Sequence, residues 1–174
     1  FDGYIGFISS NAGMSPATGG PATCSTVLAG NFTPGWCRGG TSSDADYGNP
    51  IIADGRLRHP QALTYDDNYI YVASRNSINR YLKSTGAFSG WIGMVSVQPT
   101  GGAAGCTTRV DGQMTTGWCY GGQAKEQAPQ TAPIGGISFA SDVFIFNDEL
   151  HVLHTAGQIV KYNKLTGAVI GMLP

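Results

Sequence analysis

Four cysteines stand in two pairs, Cys24/Cys37 and Cys106/Cys119, and twelve residues separate the members of each pair. Thiols paired at this distance either close a loop as a disulfide or ligate a metal. Zinc wants close CxxC-type pairs or an added histidine, and no histidine lies near either pair. Four cysteines allow three connectivities. The surroundings of the pairs are copies of each other: TGGPATC leads to TPGWCRGG (Thr33–Gly40), and TGGAAGC leads to TTGWCYGG (Thr115–Gly122). Equivalent units should close equivalent loops, which argues for Cys24–Cys37 and Cys106–Cys119, with free thiols as the remaining alternative. A loop of this size stabilises by roughly 3 kcal/mol in the chain-entropy picture.

The residues for catalysis are poorly arranged. The three histidines, His59, His151 and His154, fall in or beside strand-like stretches. No serine sits in a G-x-S-x-G elbow and no HExxH occurs. Asp54, Asp66, Asp67, Asp142 and Asp148 stand mostly at turns, where aspartate bonds its own backbone. The acidic loop of Asp44, Asp46, Tyr47 and Gly48 lacks the further carboxylates and late glutamate of a calcium loop. No catalytic residue, metal or cofactor is expected. Asn31-Phe32-Thr33 is a sequon for N-glycosylation.

Recognition is better served. Trp36 and Trp118 each precede a cysteine in Gly-Trp-Cys. An indole there either packs on the disulfide or offers an apolar face to a sugar ring or a partner side chain, worth about 0.5–1.5 kcal/mol beyond burial. Arg38 follows one Trp-Cys and Tyr120 the other, so the two copies differ beside the indole. Arg75 and Asn76, with His154 and Thr155 as counterparts, fall in the turn after a strand. The candidate ligand-binding residues are therefore Trp36, Arg38, Trp118, Tyr120, Arg75, Asn76 and His154. Trp91 reads as sheet packing.

Short strands must position these side chains. His59–Gly93 reads as four: Gln61–Tyr65, Tyr69–Ala73, Ile78–Lys83 and Phe88–Val95, with turns at Asp66-Asp67-Asn68, Arg75-Asn76-Ser77 and Ser84-Thr85-Gly86. Asn147–Leu173 repeats this pattern at an offset of about 80, aligning Ile70 with Leu150, Val72 with Val152, and Tyr81 with Tyr162. The stapled segments repeat at an offset of 82, and Tyr4–Ile8 parallels Trp91–Val95. A fixed period with one supersecondary unit per repeat marks a repeat architecture. The expectation is a single domain over 1–174 with two internal repeats, about 1–86 and 87–174. Nine candidate strands make one more than two four-stranded units need. Ser9–Arg58 reads as a long Gly/Pro/Ser/Thr-rich connection.

The order Pro60, Ala62-Leu63, Asp66, Tyr71-Val72-Ala73, Asn76, Ile78, Arg80-Tyr81 and Gly86 resembles an NHL-type β-propeller repeat. It departs from that pattern at Ser74 and at Asn79-Arg80. The resemblance covers about one blade and a weaker second copy. It implies an all-β fold of two propeller blades per chain with disulfide-stapled irregular loops. Two blades cannot close a ring of four to eight. Three copies would make a six-bladed propeller with threefold symmetry. The plan is similar to that of small lectins whose two-repeat chains trimerise, or to the tip of a trimeric adhesive fibre.

Composition sets the remaining bounds. Only 12% of residues are charged, the net charge is −1, and 26 of 174 residues are glycine. No basic field for nucleic acid is present. No apolar run approaches the roughly 18–20 residues of a membrane span. The chain opens at Phe1 without a signal segment, as a mature product or excised piece would. Disulfides with low charge point to a secreted or cell-surface protein. The expected function is an adhesive, lectin-like module binding a glycan or another cell-surface ligand as a homotrimer. The alternatives are a protein-interaction or structural module and, further off, a propeller-based hydrolase or lyase.

Overall fold

The computed structural model describes residues 3–8, 17–21, 23–28, 31–40, 42–43, 55–57, 59–125, 135–154 and 157–173. Asp2, the acidic loop Asp44–Gly48, Asp54 and Thr155 lie outside the described residues. The described residues are all-β, with two single-turn 3-10 helices and no α-helix.

Strand β1 (Phe7–Ile8) pairs with β2 (Ser42–Ser43). A first meander follows: β3 (Pro60–Tyr65), β4 (Tyr69–Ser74), β5 (Ser77–Leu82) and β6 (Phe88–Gly93), each antiparallel to the next. Strands β7 (Val95–Val97), β8 (Gly101–Gly102), β9 (Cys119–Tyr120) and β10 (Gln123–Ala124) belong to the second stapled segment. A second meander closes the chain: β11 (Ala140–Phe146), β12 (Glu149–His154), β13 (Ile159–Asn163) and β14 (Val169–Leu173). The first meander is extended by the stapled segment into a six-stranded sheet of order β3-β4-β5-β6-β9-β8, whereas the second stays four-stranded. Among the described residues, the sheets are not closed into a propeller.

The predicted strands of His59–Gly93 form with small changes. Pro60 joins β3 through a bulge between Pro60 and Ala62. Phe88–Val95 is interrupted at Met94, which bridges to Met114, so β6 ends at Gly93 and β7 begins at Val95. The two meanders turn their first hairpins differently. Asp66 Oδ1 accepts the N–H groups of Asn68 and Tyr69 at 2.9 and 2.8 Å, an Asx-type turn. Asn147 and Asp148 instead both take positive φ, 50° and 61°, as a two-residue type I′ hairpin requires.

Alternation along the strands gives each meander two faces. Tyr71, Ala73, Ile78 and Ile92 of the first meander meet Val143, Leu150, Val152, Val160 and Tyr162 of the second in one core, which also holds Trp118 and Ile137. Polar groups cross the same joint. Phe139 N–H donates to Asn76 Oδ1 (3.0 Å), and Ala140 N–H donates to the Arg75 carbonyl (2.7 Å).

Candidate functional site

The two stapled segments fold alike, each on a strand that precedes it. The disulfides are Cys24–Cys37 and Cys106–Cys119. In the first, Tyr4 exchanges backbone bonds with Cys37 (2.9 and 3.0 Å), Thr33 N–H donates to the Gly6 carbonyl (2.9 Å), and Gly6 N–H donates to Thr33 Oγ1 (3.0 Å). In the second, Trp91 pairs with Cys119, Thr115 N–H donates to the Gly93 carbonyl (3.0 Å), and Gly93 N–H donates to Thr115 Oγ1 (3.2 Å). Tyr4–Ile8 is thus the structural equivalent of Trp91–Val95, as their sequences suggest. Each disulfide sits in a small core of its own. Tyr4, Ile8, Ala17 and Val27 surround the first; Trp91, Val95, Phe88, Ala103 and Ala124 surround the second.

Neither Gly-Trp-Cys tryptophan appears in those cores. Adjacent residues on a strand point to opposite faces, so the cysteine turns to its disulfide and the tryptophan turns away, towards a meander. Trp36 donates its backbone N–H to the Thr85 carbonyl (2.9 Å) and its indole N–H to the Lys83 carbonyl (3.0 Å). Trp118 repeats both bonds on Thr166 (3.0 Å) and Lys164 (3.0 Å) in the second meander. The flanking glycines permit this approach. A Cβ on Gly35 or Gly117 would lie 2.4 Å from the carbonyl oxygen of Thr85 or Thr166.

The two indoles differ in what covers them. Trp118 is 3% exposed. The Arg80 guanidinium lies 4.4 Å from its ring centre, and the Tyr71 ring lies 5.9 Å away. Arg80 is itself buried between Trp118 and Tyr69, and it donates to the carbonyls of Leu165 (3.1 Å) and Ser89 (3.0 Å). Burial lowers its pKa, with the neighbouring tyrosines and Asp66 acting against that shift. Trp36 is only half-buried.

The remaining candidates do not converge on one site. Arg38 and Tyr120 are exposed at equivalent positions beside their disulfides, where Gly19 and Gly101 are their strand partners. Arg75 stacks its guanidinium 4.7 Å from the Phe139 ring centre. Asn76 is buried, bonding Phe139 and, through Nδ2, the Lys125 carbonyl (3.3 Å). Both residues therefore join the two meanders. His154 is buried, and its Nδ1 accepts the Ser138 N–H at 3.4 Å. Desolvation lowers its pKa. Strand pairing makes His154 the counterpart of Ser74, because Pro60 pairs with Ser74 where Ala140 pairs with His154. Arg75 has its counterpart one residue later, outside the described residues.

A concavity of about 300 Å³ opens on the face of the first meander turned away from the second. Leu63, Tyr65, Ile70, Val72 and Tyr81 of the meander line it, together with Ile5, Trp36, Leu57 and Lys83. Apart from Trp36, the candidate residues did not include this surface. Its signal in the sequence is the unbroken run Tyr69-Ile70-Tyr71-Val72-Ala73. A strand with apolar residues on both faces expects cover on both.

Among the described residues, no group of three or more His, Cys, Asp or Glu is placed to hold a metal ion. No helix there is long and apolar enough to cross a membrane. Comparison of the chain with protein-family models, curated proteins and solved structures finds no match.

Proposed function

We propose that this chain is a non-catalytic, extracellular recognition module of two β-propeller-type blades. Three copies complete a six-bladed ring that displays stapled loops to a glycan or another cell-surface ligand. The observation that carries the recognition reading is the repeated display of Arg38 and Tyr120. Equivalent disulfides and strand pairings hold the two residues, and both are exposed. Rigid presentation lowers the ordering cost of binding, and several weak sites on one ring gain avidity. The disulfides suit an oxidising compartment. The face-to-face packing of two equivalent meanders supports blades as the building unit.

The test is a glycan array probed with the native protein, beside its native mass. A mass three times 18.2 kDa and glycan binding that weakens in Tyr120→Ala and Arg38→Ala at unchanged mass would support the reading. A blank array together with capture of a defined protein ligand would remove the glycan reading. The burial of Trp118 between the meanders favours, as the second reading, a protein-interaction or structural module whose loops serve assembly.

A further inference from the structure

Among the described residues, the two meanders are equivalent, but only one has its corresponding face covered. Leu57, Leu63, Tyr65, Ile70, Val72 and Tyr81 of the first meander correspond to Ile137, Val143, Ile145, Leu150, Val152 and Tyr162 of the second, by strand register and by the matched tyrosine bonds to Gly55 and Gly135. On the second meander this face lies against the first: Val143 is 2% exposed, Leu150 and Val152 are 0%, and Tyr162 is 1%. On the first meander the same positions line the open concavity, where Leu63 and Tyr65 are each 62% exposed.

The surface that covers the second meander also has an equivalent. The first meander covers it with Tyr71, Ile78 and Arg80. Their register counterparts, His151, Ile159 and Lys161, lie on the outer face of the second meander. Phe144 stacks on His151 at 5.1 Å there, and Phe146, 59% exposed, meets His151 edge-on. His151 itself is only 6% exposed, so Phe144 and Phe146 are the exposed aromatic part of this face, bordered by the Glu149–Lys161 pair (3.2 Å), while the first meander carries the apolar seat.

We propose that the seat on the first meander receives the outer face of the second meander of another copy, repeating the joint already made within the chain. This rests on the reading above that copies assemble. The contact is head-to-tail, so each copy has one seat and one plug. The half-buried Trp36 corresponds to Trp118, whose ring faces Tyr71 and Arg80. In the new joint the incoming His151 and Lys161 take those places, and Lys161 supplies a cation over the indole. The two joints differ in where their charges stand: Glu149, paired with Lys161 at 3.2 Å, takes the place of Tyr69 in the new joint. Lys164 meets Asp66 across the internal joint at 3.4 Å, and the counterparts of that pair are Lys83 and Phe146.

The test uses the whole chain and two exposed positions. Leu63→Glu disables the seat and leaves the plug; Phe146→Lys disables the plug and leaves the seat. Native mass spectrometry of each variant alone should show 18.2 kDa, with near-ultraviolet circular dichroism like the unsubstituted chain. Mixed, one live seat and one live plug remain, so a 1:1 species of twice that mass should appear and grow no further. If the unsubstituted chain assembles and either variant keeps that mass, this joint is wrong and assembly runs through another surface. If the unsubstituted chain stays monomeric up to high micromolar concentration, both the joint and the assembly reading fail. An apolar dye, 1-anilinonaphthalene-8-sulfonate, bound by that monomer and lost in Leu63→Glu would then mark the seat as one for a different occupant.

Discussion

Trp118 donates its indole N–H to the carbonyl of Lys164, 46 residues further along the chain. Through this bond the second stapled loop, which extends the sheet of the first meander, also holds the second meander. The loop's grip therefore depends on a ring and a donor at one position. Trp118→Ala should cost about 3–5 kcal/mol, the range for emptying an aromatic core site. Trp118→Phe keeps most of the ring and loses the donor, and should cost about 1–3 kcal/mol for the part-buried carbonyl left unpaired. Urea midpoints at unchanged slope measure both.

The Thr-Gly turns that receive the tryptophans impose a condition on their glycines. Gly167 has φ 74°, and a Cβ there would stand 2.7 Å from the Trp118 nitrogen. Gly112 has φ 82° with nothing within 4 Å. Gly112→Ala should show only the left-handed strain of about 1–2 kcal/mol. Gly167→Ala should exceed it clearly, because the Trp118 backbone bond to Thr166 must lengthen as well. Thermal unfolding of the two variants side by side distinguishes strain from collision.

Arg80 is a second point of dependence. Its guanidinium lies between Tyr69 and Trp118 and donates to two carbonyls, Ser89 in β6 of the first meander and Leu165 in the last turn of the second. A lysine ammonium cannot lie flat between two rings or span both carbonyls. Arg80→Lys should destabilise by about 2 kcal/mol, the scale of losing one charged hydrogen bond in a buried place. The measurement is a urea titration, with tryptophan fluorescence reporting whether Trp118 becomes wetter.

Stability should also fall in mild acid through His154. Burial holds its folded pKa below the ordinary value, so the unfolded chain takes up the proton first. Its contribution is fully present above the unfolded pKa of about 6.5 and is lost as pH falls below it. The loss approaches about 1.4 kcal/mol per pH unit until the folded form also protonates. Stability measured from pH 7.5 to pH 5 should therefore fall less steeply in His154→Gln. Equal slopes would assign the acid sensitivity to other groups.

The meanders and the disulfides were legible because both are local or repeated. The runs Tyr69–Ala73 and Ile78–Lys83 carry strand chemistry between turn residues, and β4 and β5 begin and end within one residue of them. The cysteine pairs followed from two copies of one spacing. What the repeat could not reveal is which surface meets which across 40–80 residues. Trp118 and Cys119 are neighbours in sequence, and only strand alternation separates the inter-meander core from the disulfide core. Asn76 read as a turn residue and a candidate ligand contact. Its tie to Phe139 spans 63 positions, and no local pattern encodes that. The mismatch of His154 with Arg75 arose because hairpin register, not residue similarity, decides equivalence.

The closed loop between Cys106 and Cys119 has a mechanical consequence. It is held to β6 through Trp91 and Cys119, and to the second meander through Trp118. A force that pulls the two meanders apart is carried partly through this loop. The cross-link spans 13 positions, so slack between the cysteines cannot be released while it is intact. The joint should therefore yield abruptly at the Trp118 bonds rather than stretch gradually, and a reductant should turn that sharp rupture into a longer, softer extension.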